Sequence, residues 1–359
     1  MRSGKSITRN LGAAWLYFYI HFATEVICFF SLTRLTGDSV WLWVAPFVYD
    51  ALAFVPQGIV GRISDRFPKI PVSVIGIVLM ALAGADFALG ILPGKYTALV
   101  ILCLGNVCTH VNGAEVTLRC SDGRLSHSAI FVSGGSFGVI TGRLLADTFL
   151  PAWVVSLFVL TAIPFALLAE YYRKDADKLE NPCEKFNYNN PKIPAGVVIL
   201  IATLIVIVRG YMGYGIPTSW KKTVFQTVLL YVTMGCGKAL GGVFADLFGV
   251  RKTAVFSMVC ALPFLFAGDN IMTVSLIGVM FFSMTMSITL ALIVSVLQKS
   301  PGLAFGFTTT GLFLGTAPIF FFKFTTAFAN CAVIAILTVL CLAGVLIITR
   351  KDGKKNEQL

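Results

Sequence analysis

The chain has 359 residues, of which 57% are hydrophobic and 13% charged, with a mean hydropathy of +0.85 and a formal charge of +11. A soluble domain carries about a quarter of its residues as charge, so this composition excludes one and points to a membrane protein. Helices are the expected spanning elements, because the apolar residues fall in runs of about 20 and the ten-residue alternation of a membrane barrel is absent. In chain order the runs predict twelve spans, at 11–32, 39–60, 70–91, 96–116, 127–148, 151–170, 194–215, 223–243, 252–268, 271–294, 302–324 and 327–349. The first span follows a basic segment but is too long for a signal peptide and contains Glu25, so it is read as an uncleaved helix. Most intervening gaps are short, which leaves function to the helices themselves.

The polar stretch 171–193 is the longest gap and separates an N-terminal six-helix bundle (1–170) from a C-terminal one (194–359). Loops on the side of the termini carry 20 of the 28 Lys and Arg residues. By the positive-inside rule both termini are expected in the cytoplasm, in a bacterial-type inner membrane. That asymmetry also accounts for the net charge, so no nucleic-acid partner is expected. The nine cysteines lie mostly within spans and form no metal-like CxxC pair, as small apolar core residues do.

One charged signature occurs twice. GRISDRFPK follows span 2 and GGVFADLFGVRK follows span 8, each placing an aspartate four residues after a glycine (Gly61 and Asp65, Gly242 and Asp246) and ahead of a basic cluster. Spans 5 and 11 each carry two glycines four apart, Gly138 with Gly142 and Gly311 with Gly315, a spacing that lets helices approach closely. A repeated element once per half is the pattern of a transporter built from two similar bundles.

Twelve spans, charged turns after spans 2 and 8, and glycine pairs in spans 5 and 11 resemble the major facilitator superfamily over essentially the whole chain. Residues 106–147 and VRGYMGYGIP (208–217) are similar to the fosmidomycin-resistance branch. Pro68, Val111 and Arg143 depart from the expected patterns. The resemblance implies two pseudo-symmetric halves that rock about a central site. It implies a gate role for Asp65, Arg66, Asp246 and Arg251.

Ionisable residues at membrane depth are costly, about 2.5–3.5 kcal/mol each on insertion scales, and so mark function. Here they are Glu25, Asp50, Arg143, Arg209 and Lys238, with His21 and His110; spans 6, 9 and 12 have none in their interiors, and span 3 has only Asp86 towards its outer end. His21 and Glu25 share a helix face four residues apart. They and Asp50 are the proton-coupling candidates, against local pairing or neutralisation of Arg143 or Lys238. Arg209, Arg143, His110, Tyr211 and Tyr214 are the substrate-binding candidates, arginine being suited to anions. The alternatives are an interhelix bond for Arg209, pairing of Arg143 with Asp147, and snorkelling for Lys238. Glu115 with Arg119 reads as a cytoplasmic latch, and Ser283, Thr285, Ser287 and Thr289 as a polar wall or packing row.

No nucleotide-binding loop of the form G-x-x-x-x-G-K-[ST] occurs. The expectation is therefore a monomeric secondary transporter of a small anionic or zwitterionic solute or drug, export included, driven by a proton gradient with no cofactor or metal. A transport-inactive sensor or partner-binding protein, and an integral-membrane enzyme acting on lipid-linked substrate, are the alternatives.

Overall fold

A computed structural model describes residues 3–36, 44–89, 95–147, 161–179, 182–321 and 326–350. The N-terminal half contains α1 (Ser3–Thr36), α2 (Val44–Phe54), α3 (Gln57–Arg66), α4 (Val72–Leu89), α5 (Lys95–Arg119), α6 (Leu125–Ala146) and α7 (Ala162–Ala176). The C-terminal half contains α8 (Ala195–Gly215), α9 (Val224–Phe248), α10 (Val250–Ala267), α11 (Met272–Val296), α12 (Pro301–Thr316) and α13 (Ala327–Ile348). Ten of the spans in the described residues are long and apolar enough to cross a membrane. The third is a shorter apolar helix, and of the sixth only the part from 161 lies within the described residues. The fold is all-α, two similar six-helix bundles packed side by side.

Several helix ends differ from the sequence expectation. Helices outlast the apolar run, because their polar ends emerge from the hydrocarbon without breaking the backbone ladder. α9 runs unbroken to Phe248, so Asp246 lies in its last turn rather than in a loop, and α3 likewise carries Asp65. Span 2 is broken at Pro56, which has no N–H to donate; beside the break the Gln57 side-chain amide donates to the Ala53 carbonyl at 2.7 Å. α9 begins at a capping box between Thr223 and Gln226 and ends at Gly249. Gly249 has φ +95°, which a side chain would strain, and it joins α9 directly to α10.

Large apolar side chains are exposed on many helices, α3 (Ile59), α8 (Leu200) and α9 (Phe225) included. Others are exposed along α4 (Val78, Leu82), α7 (Ile163, Leu167), α10 (Phe256, Val259) and α13 (Ile336, Leu340), the third, sixth, ninth and twelfth spans. Such a belt is costly in water and suited to lipid. α1, α5 and α11 are mostly buried.

The halves meet along two seams, α3 with α12 and α6 with α9. Both need glycine. A Cβ on Gly61 or Gly306 would collide with the partner backbone at Gly302 or Gly58, and one on Gly242 would overlap Ala129. Within each half a second glycine row seats a neighbouring helix. Gly134 and Gly138 of α6 face the Phe18 and Phe22 carbonyls of α1, and Gly311 and Gly315 of α12 face those of Thr203 and Ile207 on α8. The register corrects the sequence pairing by one turn: Gly134 with Gly138, rather than Gly138 with Gly142, is equivalent to Gly311 with Gly315.

The segment 182–193 runs beneath both halves. Lys185 pairs with Asp122 at 2.6 Å, and the Tyr188 hydroxyl donates to the Gly123 carbonyl at 2.6 Å. Gln298 donates to the Phe186 carbonyl at 2.8 Å, and the Arg350 N–H to that of Tyr188 at 2.8 Å. Burial pushes the Cys183 thiol up to about 12, and burial lifts Asp177 above the usual carboxylate range against the pull of Arg173 and Arg119.

Candidate functional site

The two aspartates of the repeated signature perform the same task in opposite directions. Asp65 of α3 accepts from the N–H groups of Gly302 (3.0 Å) and Leu303 (2.8 Å), at the start of α12. Asp246 of α9 accepts from the N–H groups of Leu125 (2.7 Å) and Ser126 (3.0 Å), at the start of α6. A helix N-terminus has four N–H groups without intrahelical partners and a partial positive charge, so a carboxylate is its natural cap. Each half thus caps a helix of the other, at the end of the bundle that carries the linker.

The basic residues of the two signatures behave differently. Arg66 is exposed and lies over its neighbour Phe67 (5.7 Å), whereas Arg62 reaches across to the Ser300 hydroxyl at 3.2 Å. Arg251 stays within its own half, donating to the carbonyls of Leu346 (2.9 Å) and Thr349 (3.0 Å), which the end of α13 leaves unpaired. Behind Asp65, Arg119 lies 3.0 Å from Glu115 and 4.0 Å from both Asp65 and Asp177. Glu115 also accepts from Ser64 at 2.5 Å.

Deeper in the N-terminal half, α1 and α5 bring three ionisable groups together. His21 Nε2 lies 2.7 Å from His110 Nε2, and Glu25 Oε1 lies 3.2 Å from the His110 nitrogen and 3.9 Å from that of His21. All three side chains are buried, at 9%, 5% and 6% exposure for His21, His110 and Glu25. The other ring nitrogens face backbone carbonyls: His21 Nδ1 is 2.9 Å from Phe131 O, and His110 Nδ1 is 2.9 Å from Asn106 O. A carbonyl only accepts, so both Nδ1 atoms donate. Each ring, if neutral, then presents a bare lone pair at Nε2. Two such lone pairs repel, so a proton between the rings would satisfy this contact and Glu25 would balance its charge.

Asn106, absent from the sequence candidates, completes this cluster. Its amide donates to Glu25 Oε1 (3.2 Å), with the Tyr49 hydroxyl at 3.1 Å. Its one-turn spacing from His110 on α5 was the available signal. Gly135 of α6 closes the other side, where a Cβ would stand 2.5 Å from His21 Nε2. His110 thus pairs with His21.

The remaining candidates fall into two groups. Arg143 reaches over the seam to the Tyr231 hydroxyl (3.0 Å) and lies over the rings of Phe29 (5.1 Å) and Tyr231 (5.7 Å). Among the described residues it forms no ion pair with Asp147. Asp50 is within electrostatic range of Arg143 and Glu25. Tyr214, near the end of α8, is 67% exposed and within electrostatic range of Asp50, Arg143 and Tyr231. Lys238 does not snorkel to the membrane surface; its Nζ donates across the seam to the Ser136 hydroxyl at 2.8 Å. Arg209 takes the interhelix role: it donates to the Phe282 carbonyl and stacks on the Phe282 ring at 4.1 Å, inside the C-terminal half. Tyr211 is half-buried on α8. Thr285 and Thr289 bond carbonyls of their own helix, at 3.2 and 2.9 Å, which favours packing over a polar wall.

No protein-family model matches the sequence, and no curated protein matches it. Solved structures do match. The fold is similar to that of the human organic anion transporter MFSD10 (TETRAN), with a TM-score of 0.62 at 13% identity, covering 95% of this chain and 99% of that one. It is also similar to the proton:xylose symporter XylE bound to 6-bromo-6-deoxy-D-glucose, with a TM-score of 0.59 at 14% identity, covering 95% of each chain. At such identities the likeness establishes the fold, which is that of the major facilitator superfamily.

Proposed function

We propose that this chain is a secondary active transporter that carries a small anionic or zwitterionic organic solute between its two halves, 1–170 and 194–359, by alternating access. The observation that carries this reading is the reciprocal capping by Asp65 and Asp246. Both contacts cross between halves at one end of the bundle, and both break if the halves rock apart there. Charge-assisted bonds of this kind contribute about 1.5–3 kcal/mol each, strong enough to hold one state and weak enough to release.

Proton coupling at His21, His110 and Glu25 is the proposed energy source, with no cofactor. A proton buried beside the α1–α6 contact is sensitive to any movement of α1 or α6. Arg143 and Lys238 supply positive charge to the seam against Asp50, with Tyr214 and Tyr231 beside them, which supports an anionic group on the solute. That a structural neighbour is named an organic anion transporter agrees with this polarity. The protein is proposed to act as a monomer in a cytoplasmic membrane with both termini inside.

Flux into proteoliposomes of a panel of organic anions and zwitterions, with and without an imposed pH gradient, tests this proposal. The gradient should accelerate flux of at least one solute. Glu25→Gln and His110→Gln should lose that acceleration while retaining solute exchange. Flux indifferent to the gradient in the wild type, with both variants matching it, would refute proton coupling.

A further inference from the structure

The same three side chains also meet the requirements of a metal ion. His21 Nε2, His110 Nε2 and Glu25 Oε1 are separated by 2.7, 3.2 and 3.9 Å, all on buried side chains. A tetrahedral zinc ion with bonds of about 2.0–2.1 Å sets its ligand atoms roughly 3.3–3.4 Å apart. The mean spacing already fits; the two ring nitrogens have to part and His21 Nε2 has to close on Glu25, each by roughly 0.5–0.7 Å.

The surroundings are those of a metal site as well. Both imidazoles donate Nδ1–H to a backbone carbonyl, at 2.9 Å each. That is the outer bond which fixes the tautomer and leaves Nε2 free for a metal. Glu25 is oriented in turn by the Asn106 amide at 3.2 Å. Two neutral imidazoles and a carboxylate match a borderline ion of the zinc class rather than magnesium or calcium, which take oxygen ligands. The groups in electrostatic range of the cluster are Lys238 of α9, Asp50 and Tyr49 of α2, and Cys28 of α1.

We propose that His21, His110 and Glu25 form a three-ligand site for one divalent transition-metal ion. Binding takes both Nε2 lone pairs and the carboxylate, and a proton held between the rings leaves to solvent. An occupied site blocks protonation of the pair. The inference goes beyond the transport proposal and does not depend on it.

The test uses tag-free full-length protein in detergent, stripped with a chelator and titrated with cobalt(II) alone and then with zinc. One equivalent should bind, with the visible ligand-field bands of a four-coordinate ion, bleached by zinc, and about one proton should appear per ion bound. His110→Gln and Glu25→Gln should each weaken binding at least tenfold, Asn106→Ala about tenfold, and His127→Gln not at all. Size-exclusion profiles and thermal unfolding separate loss of a ligand from loss of the fold. The proposal is overturned if the wild type shows no saturable one-equivalent binding, or if a folded His21→Gln/His110→Gln variant binds as the wild type does. Gradient-driven flux without ion binding would refute the metal site and leave the transporter assignment intact. Ion binding without flux would do the reverse.

Discussion

His21 and His110 meet Nε2 to Nε2 at 2.7 Å, where both rings already donate Nδ1–H to a backbone carbonyl. A proton between them would satisfy that contact, with Glu25 at 3.2 Å as the balancing charge. Removing one member therefore leaves the others buried with the wrong charge, a penalty larger than the bond itself. Glu25→Gln should destabilise the protein by about 3 kcal/mol at neutral pH. The loss should shrink at a pH high enough to strip the shared proton, since the uncompensated charge then disappears. Thermal unfolding of the two proteins across a pH series measures it.

Gly135→Ala places a methyl group 2.5 Å from His21 Nε2, so the ring must turn away from His110. Overpacking of this kind costs about 1–3 kcal/mol. Gly142→Ala, which meets the Val26 carbonyl at 2.5 Å, should cost a similar amount without touching the histidines. Gly196 has nothing near an added Cβ, and Gly196→Ala should be neutral. Proton-driven flux should fall further in Gly135→Ala than in Gly142→Ala when the two are equally folded.

The reciprocal caps predict a local signature. Asp65→Asn should speed amide exchange at Gly302 and Leu303, and Asp246→Asn at Leu125 and Ser126, by about tenfold or more. Because both caps hold the same end closed, each variant should also loosen the other's pair, more weakly. Hydrogen–deuterium exchange resolved to short peptides reads both effects. Acceleration confined to the mutated cap would mean that the two seams open independently.

Helix number, the twofold repeat and the concentration of buried charge on the inner helices, Asp86 of α4 apart, are all legible in the sequence. Each rests on run length, on a repeated string, or on the cost of charge in lipid. His21 and Glu25 were legible as a pair because one helix carries both. Their partners were not. His110 and Asn106 meet them through the rotation of α5 against α1, and Gly135 permits the His21 ring to lie where it does, none of which local periodicity encodes. Arg209 and Lys238 show the same limit. Their residue types mark both as costly inside a membrane, but only packing decides that one turns to Phe282 in its own half and the other crosses the seam to Ser136.

Cys183 reports on the linker. It is fully buried beneath the bundle, and its thiol is held up to about 12, so maleimide should label it slowly at neutral pH. Lys185→Ala removes the pairing with Asp122 (2.6 Å) but leaves the membrane interior untouched. Such an exposed pair contributes about 0.2–1 kcal/mol, so labelling should rise by no more than about fivefold. Asp246→Asn, by opening the seam itself, should raise it further. Peptide-level mass spectrometry separates Cys183 from the other cysteines.

The chain contains three histidines, His21, His110 and His127, which makes one measurement decisive. Nitrogen-15 solid-state NMR of histidine-labelled protein in bilayers, with chelator present, reads the protonation of each ring nitrogen directly. At neutral pH, His21 and His110 should together show one proton shared between their Nε2 atoms, with both Nδ1 atoms protonated, and Glu25→Gln should lower the pH at which that signal is lost. Two neutral rings with bare Nε2 atoms at every pH would contradict a proton held between α1 and α5.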